Sequence, residues 1–266
     1  MSSVLPAIIH SFRLGWRGAW EDRGAVLGGF ITYAILLVLW AGVWFAVPDM
    51  TLNAMGLTHT RLVWYVGMTE LLVFVAPAFL YRDIEEDIRS GQIISALTRP
   101  VGYEVLKISA WVGHCVVTFL LLGPLAFVLL YILTGHNGFS TLHQAAFPVL
   151  FAGGVILLLL LHGISGFCAA WLPSARLLRM VIFKLMFVFG GLVLPLSQYP
   201  DWLQTIAWMT PFPALMYGPG SLMLDSAAVD ITRVLGLQAF WILVLGSLLL
   251  AIRHLLERKI MRTGGV

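Results

Sequence analysis

Residues 145–172 read AAFPVLFAGGVILLLLLHGISGFCAAWL, a stretch without one Asp, Glu, Lys or Arg. About 18 to 20 consecutive apolar residues suffice to cross the hydrocarbon core of a bilayer, so this stretch reads as a transmembrane helix. A second apolar run, 62–80, is interrupted by Glu70 alone. A water-soluble core of this size has no room to hide both. Charged residues make up only 11% of the 266 positions, whereas an average soluble domain carries roughly 25%. The chain is therefore expected to live in lipid.

Outward from this stretch, apolar runs bounded by charge or turn residues predict six spans, at 25–47, 62–81, 108–134, 145–172, 180–196 and 235–253, the fifth being short. Lys and Arg cluster before the first span (Arg13, Arg17, Arg23) and between the second and third (Arg82, Arg89, Arg99, Lys107). They cluster again between the fourth and fifth (Arg176, Arg179, Lys184) and at the C-terminus (Arg253, Arg258, Lys259, Arg262). Of the 16 Lys and Arg, only Arg61 and Arg233 fall on the other side. Cytoplasmic loops carry the excess of Lys and Arg, so both termini are expected in the cytoplasm and the protein in the cytoplasmic, or inner, membrane. The first 24 residues lack the short apolar core and small-residue cleavage site of a secretory signal, so the first span is expected to serve as the targeting segment. Cys115 and Cys168 fall inside expected spans as small packing residues rather than disulfide partners.

Two segments are neither spans nor simple connections, and the whole of 1–266 reads as one membrane domain. Residues 3–22, within an N-terminal segment 1–24, alternate Val4, Leu5, Ile8, Ile9, Phe12, Trp16 and Trp20 with Arg13, Arg17, Glu21 and Asp22. They predict an amphipathic helix in the inner interface, an elbow before the first span. Residues 197–234 combine Tyr199, Trp202, Trp208, Phe212 and Tyr217 with four prolines. They predict a re-entrant outer hairpin between spans five and six, with its aromatic rings at headgroup level.

The sizeable hydrophilic region is 81–107, YRDIEEDIRSGQIISALTRPVGYEVLK. Asp83 and Glu86 have the spacing of a capping box at a helix start. Ile84, Ile88, Ile94 and Leu97 mark an apolar stripe opposed by Glu85, Asp87, Arg89 and Gln92. The helix is expected to break near Ser90 and Gly91 and to stop before Pro100.

Glu86, Gly91, Leu97, Pro100, Val101 and Lys107, in the order E-x4-G-x5-L-x2-P-V-x5-K, resemble the cytoplasmic coupling loop of ABC-2 type permeases, the membrane subunits of ATP-binding-cassette transporters. Residues 190–224, with Pro195, Pro200, Trp202, Pro211, Phe212 and Pro219, resemble that family's passage from the fifth span through the outer hairpin. With the elbow and six spans, the resemblance covers essentially the whole chain. It implies an all-α permease that exports a substrate. It also implies a homodimer or a pair with a related permease, bound to two cassette ATPase subunits. ATP and Mg would be held by those subunits, and this chain would bind no cofactor. The resemblance assigns coupling to Asp83, Ile84, Glu86, Asp87, Ile88, Gly91, Leu97, Arg99 and Pro100. No Walker-type G-x4-G-K-[ST] loop occurs in the sequence, in keeping with a partner that hydrolyses the nucleotide. Glu70, Tyr199, Trp202, Phe212 and Tyr217 are the residues expected to form the pathway and its outer gate.

Two other classes compete. Intramembrane carboxylates are costly, so Glu70 is a functional candidate, and with His114 and His162 it could serve a proton-coupled secondary transporter; a satisfied packing role is the simpler reading of the histidines. Residues 163–166 contain G-x-S-G, as in rhomboid-like intramembrane proteases, but the only histidine on the sixth span is His254 at its edge. A small-residue packing seam explains Gly163 and Gly166 without catalysis. The histidines and cysteines do not cluster at metal-ligand spacing, and the cations are explained by topology rather than by nucleic acid.

Overall fold

The computed structural model describes residues 4–76, 79–97, 101–138, 141–224 and 230–263. Among them every regular element is helical. In chain order these are α1 (Val4–Glu21), α2 (Arg23–Phe45), α3 (Asp49–Ala54), α4 (His59–Val75), α5 (Phe79–Arg89), α6 (Gln92–Leu97), α7 (Tyr103–Thr134) and α8 (Thr141–Phe167). There follow α9 (Ala175–Phe189), α10 (Asp201–Trp208), a π-helical turn (Pro213–Tyr217), α11 (Gly218–Ser221) and α12 (Ile231–Thr263). Helices dominate because within lipid each backbone N–H and C=O must find its partner inside the segment.

Five segments among the described residues are long and apolar enough to cross a membrane: Arg23–Phe45, His59–Arg89, Tyr103–Thr134, Gln144–Ala170 and Ile231–Arg262. They match five of the expected spans. The expected span 180–196 is not among them. In its place α9 starts earlier, at Ala175, where the Ser174 side chain accepts a hydrogen bond from the Arg176 N–H at 3.2 Å. It ends at Phe189 before Gly190 and Gly191, the latter in a left-handed conformation with φ of 66°. Its 15 residues rise about 22 Å, short of the roughly 30 Å hydrocarbon core. Residues 190–195 then run non-helically to Pro195.

α4 and α8 form the interior and are largely buried, while α2, α7 and α12 turn most of their surface outward. Exposed Ile31, Ile35 and Leu39 on α2 and Leu243 and Leu250 on α12 are the surface that lipid or another apolar body would cover. The expected amphipathic N-terminal helix is α1, and it packs along α7. The approach is close: a Cβ on Gly15 would lie 1.7 Å from the Ala110 carbonyl oxygen, and one on Gly113 would lie 2.2 Å from that of Phe12. Only glycine permits this backbone contact. Ala19 is fully buried, whereas Leu5, Leu14 and Trp20 remain exposed.

Candidate functional site

α5 and α6 lie where the hydrophilic region predicted a broken helix. α5 ends at Arg89, Gly91 takes a left-handed conformation with φ of 74°, and α6 begins at Gln92. The Ser90 hydroxyl donates to the Glu86 carbonyl at 2.8 Å, spending a donor on the last turn. The kink rotates the apolar stripe. Ile84 and Ile88 are buried as expected, but Ile93 rather than Ile94 continues the stripe, and Ile94 is exposed. The left-handed residue at 91 shifts the helical phase, so the spacing read through 84, 88 and 94 does not persist. Leu97 closes α6 with its side chain outside the described residues, and Arg99 and Pro100 lie outside them altogether.

The expected capping box also differs. Asp83 sits inside α5 rather than at its start, and its carboxylate accepts a hydrogen bond from the Trp111 indole N–H on α7 at 3.1 Å. Asp87, expected on a solvent face, turns toward α7, pairing with Lys107 at 2.7 Å and accepting from the Tyr103 hydroxyl. Glu85 pairs with Arg89 at 2.8 Å and accepts from the Ala175 N–H at the start of α9. The Arg89 guanidinium also donates to the Pro173 carbonyl at 2.5 Å. Ile84 seats against α8 at Gly166, where a Cβ would come 2.7 Å from the Ile84 Cβ. α5 is thus held at once by α7, α8 and the start of α9. Its remaining face shows Arg82, Glu86 and Ser90 to the outside, and Glu86 has no side-chain partner among the described residues.

A link absent from the sequence reading stands beside this helix. Glu104, at the first turn of α7, is 4% exposed and accepts a hydrogen bond from Arg253 of α12 at 2.9 Å. Arg253 also pairs with Glu257 at 3.0 Å. A Cβ on Gly102 would meet the Glu104 carboxylate at 2.4 Å, so the turn that leads out of the loop is shaped around this pair.

At the opposite end the broken segment 190–224 is held by neutral donors from the bundle and from within the segment. The Tyr65 hydroxyl donates to the Gly191 carbonyl, and the Thr69 hydroxyl to that of Leu192 at 2.9 Å. Tyr199 donates to the Val188 carbonyl at 2.7 Å and Gln204 to that of Leu196 at 2.9 Å. Gln238 of α12, 3% exposed, donates to the carbonyls of Leu150 at 2.7 Å and Ala214 at 3.0 Å, tying α8 to the π-helical turn. Tyr217 stacks edge-on with Trp208, ring centroids 5.8 Å apart, and lies 6.4 Å from the Tyr65 ring. Phe212 is buried and Trp202 is 65% exposed. Asp230 opens α12: its carboxylate accepts from Thr232 at 2.6 Å and from the Arg233 N–H at 3.0 Å, which hold it below the usual carboxylate range.

The five residues expected at the pathway or gate do not form one constellation. Tyr199, Trp202, Phe212 and Tyr217 belong to the broken segment 190–224, whereas Glu70 is buried inside the chain with Tyr33 and Trp40 of α2 as neighbours. His114 stacks on Trp111 with centroids 4.9 Å apart, and buried His162 has Arg179 as its charged neighbour. No proton relay through Glu70, His114 and His162 comes together among the described residues. Ser165 is fully buried and donates to the Leu161 carbonyl of its own helix at 2.8 Å, while His254 pairs with Glu257. No serine–histidine dyad exists there, and the described residues hold no group of three or more His, Cys, Asp and Glu placed to bind a metal.

No curated protein matches the chain. The family model described as ABC-2 family transporter protein matches residues 30–255, a stretch that takes in the α5–α6 loop, the broken segment 190–224, three of the five long apolar segments whole and most of the other two. The chain is a multi-pass membrane protein belonging to the ABC-2 transporter family, whose members are non-catalytic membrane subunits that generally pair with ATP-binding subunits.

Proposed function

We propose that this chain is the permease subunit of an exporter in the cytoplasmic membrane, driven by ATP that two separate cassette subunits bind with Mg and hydrolyse. The observation that carries the reading is the split character of α5. Its inner face, Ile84, Ile88, Asp83 and Asp87, is locked to α7 and α8, and its outer face, Arg82, Glu86 and Ser90, is open. A rigid element tied to several bundle helices and exposed on one side can bias a two-state bundle, provided a partner binds the two states unequally.

In this reading α9 and the broken residues after it make the sixth crossing, with irregular backbone covered by protein as membrane depth requires. Both termini face the cytoplasm and the substrate passes between two permeases. α1 acts as the elbow, and the 197–234 hairpin, through Tyr199, Trp202, Phe212 and Tyr217, lines the outer gate. Glu70 tunes the α2–α4 contact that borders the path. The test is purification of the chain with its ATPase subunit and reconstitution in vesicles. ATP hydrolysis stimulated by the permease, together with ATP-dependent substrate movement, is the expected result. Transport driven by a proton gradient without any ATPase, and abolished by Glu70→Gln, would replace this reading with a secondary transporter.

A further inference from the structure

The last turns of α12 meet the short link between α8 and α9 in a hollow of about 330 Å³ lined by Trp171, Leu255, Arg258, Lys259 and Arg262. Its size is at the lower end of small-molecule pockets, roughly 300 to 1,000 Å³. Three of the five lining side chains are cations and none is a carboxylate. Lys259 is fixed, donating to the Ala170 carbonyl and lying 5.8 Å from the Trp171 ring centroid. Arg258 and Arg262, one helical turn apart, are exposed, and neither forms an ion pair among the described residues. The nearest acid in sequence, Glu257, is engaged by Arg253 and His254. Topology explains why cations gather at this end of a helix, but not why they frame a concavity against an aromatic ring.

We propose that this hollow binds the phosphate of an anionic phospholipid headgroup in the inner leaflet. Two guanidiniums with no ion-pair partner among the described residues are suited to the phosphodiester oxygens. The apolar half of the ligand is provided for as well: Trp171, Leu172 and Leu255 are 47%, 38% and 55% exposed beside the cations. Cations next to exposed tryptophan and leucine suit an amphiphile at the membrane interface better than a free anion. Because α12 carries Arg253, which holds Glu104 beside the α5–α6 loop, the headgroup would also steady the helix against which that loop is braced. The inference rests on the inner-leaflet placement of this end of α12. Binding is read without any ATPase, so its failure leaves the transporter reading untouched.

The test uses the full chain in detergent, titrated with phosphatidylglycerol or phosphatidylcholine and followed by native mass spectrometry. Arg258→Gln/Arg262→Gln is the test variant, and Arg61→Gln/Arg233→Gln, at the starts of α4 and α12 and away from the hollow, is the charge-matched control. At about 1 kcal/mol per cation, the test variant is expected to bind phosphatidylglycerol about thirtyfold more weakly, with phosphatidylcholine and the control unchanged. If the double variant does not fold, Arg262→Gln alone should lose about fivefold. Undiminished phosphatidylglycerol binding in the test variant would overturn the proposal. So would an equal loss in the control, or equal wild-type affinity for the two lipids. Full displacement of phosphatidylglycerol by excess inorganic phosphate would overturn the lipid assignment in favour of a free-anion site.

Discussion

The two ends of the bundle are held by different chemistry. Around the α5–α6 loop the fastenings between elements each involve a charged side chain: Asp87 to Lys107, Glu104 to Arg253, Asp83 to the Trp111 N–H and Arg89 to the Pro173 carbonyl. Around the broken segment 190–224 they are neutral and run from side chains to backbone, from Tyr65, Thr69, Tyr199, Gln204 and Gln238. The difference follows from what each region must satisfy. The α5–α6 loop interrupts its helix only at Gly91, so its charged side chains are available to reach neighbouring helices. A chain that unwinds beside apolar helices exposes carbonyls whose desolvation is costly, and a neutral donor satisfies them without bringing in an ion. The charged end is built of pairs that break together, the neutral end of single donors that fail one at a time.

The largest effect should come from the most buried pair. Arg253→Leu leaves Glu104 without its cation and is expected to cost about 3 kcal/mol. Glu104→Leu added to it should recover most of that loss, since neither charge is then stranded; thermal unfolding in detergent reads both. Two separate additive losses would show that the pair is not a unit. Next is Gly166→Val, which forces Ile84 off α8. About 2 kcal/mol of overpacking is expected, with a larger fractional loss of ATP-driven transport than of folded protein. A stability loss with transport unchanged would detach α5 from the mechanism. At the neutral end, Thr69→Val removes one donor and should cost about 1 kcal/mol, visible as faster hydrogen exchange confined to amides near 190–196. Exchange rising equally at the α5–α6 loop would erase the contrast between the ends. Smallest is Glu86→Gln on the open face of α5, expected within about 0.5 kcal/mol in stability because no side chain among the described residues engages it.

The sequence made the charged end legible and the neutral end only partly so. Charge and periodicity mark α5, the break at Gly91 follows from a glycine beside Ser90, and Ile84 and Ile88 declare their buried face. Ile94 misleads because the periodicity rule assumes an unbroken helix, and Asp83 because a capping-box spacing says nothing of Trp111, which lies 28 residues away in sequence. Arg253 reads as a topological charge and Glu104 stands out in no pattern; their pairing spans 149 positions, and no local pattern reports it. At the other end the prolines and aromatic residues at 195–219 announce irregular backbone, but Tyr65, Thr69 and Gln238 look like ordinary residues of apolar helices. The fifth expected span, 180–196, was placed by composition. The helix obeys its cap at Ser174 and its stop at Gly190 and Gly191.

The central claim is that the open face of α5 receives the ATPase subunit. The direct measurement is site-specific cross-linking in the reconstituted complex, with Glu86→Cys as the probe and Thr205→Cys on α10, at the other end of the bundle, as the control. The account predicts a cross-link to the ATPase subunit from position 86, with a yield that changes when ATP is bound, and none from position 205. An assembled, ATP-hydrolysing complex that gives no cross-link from position 86 would contradict it.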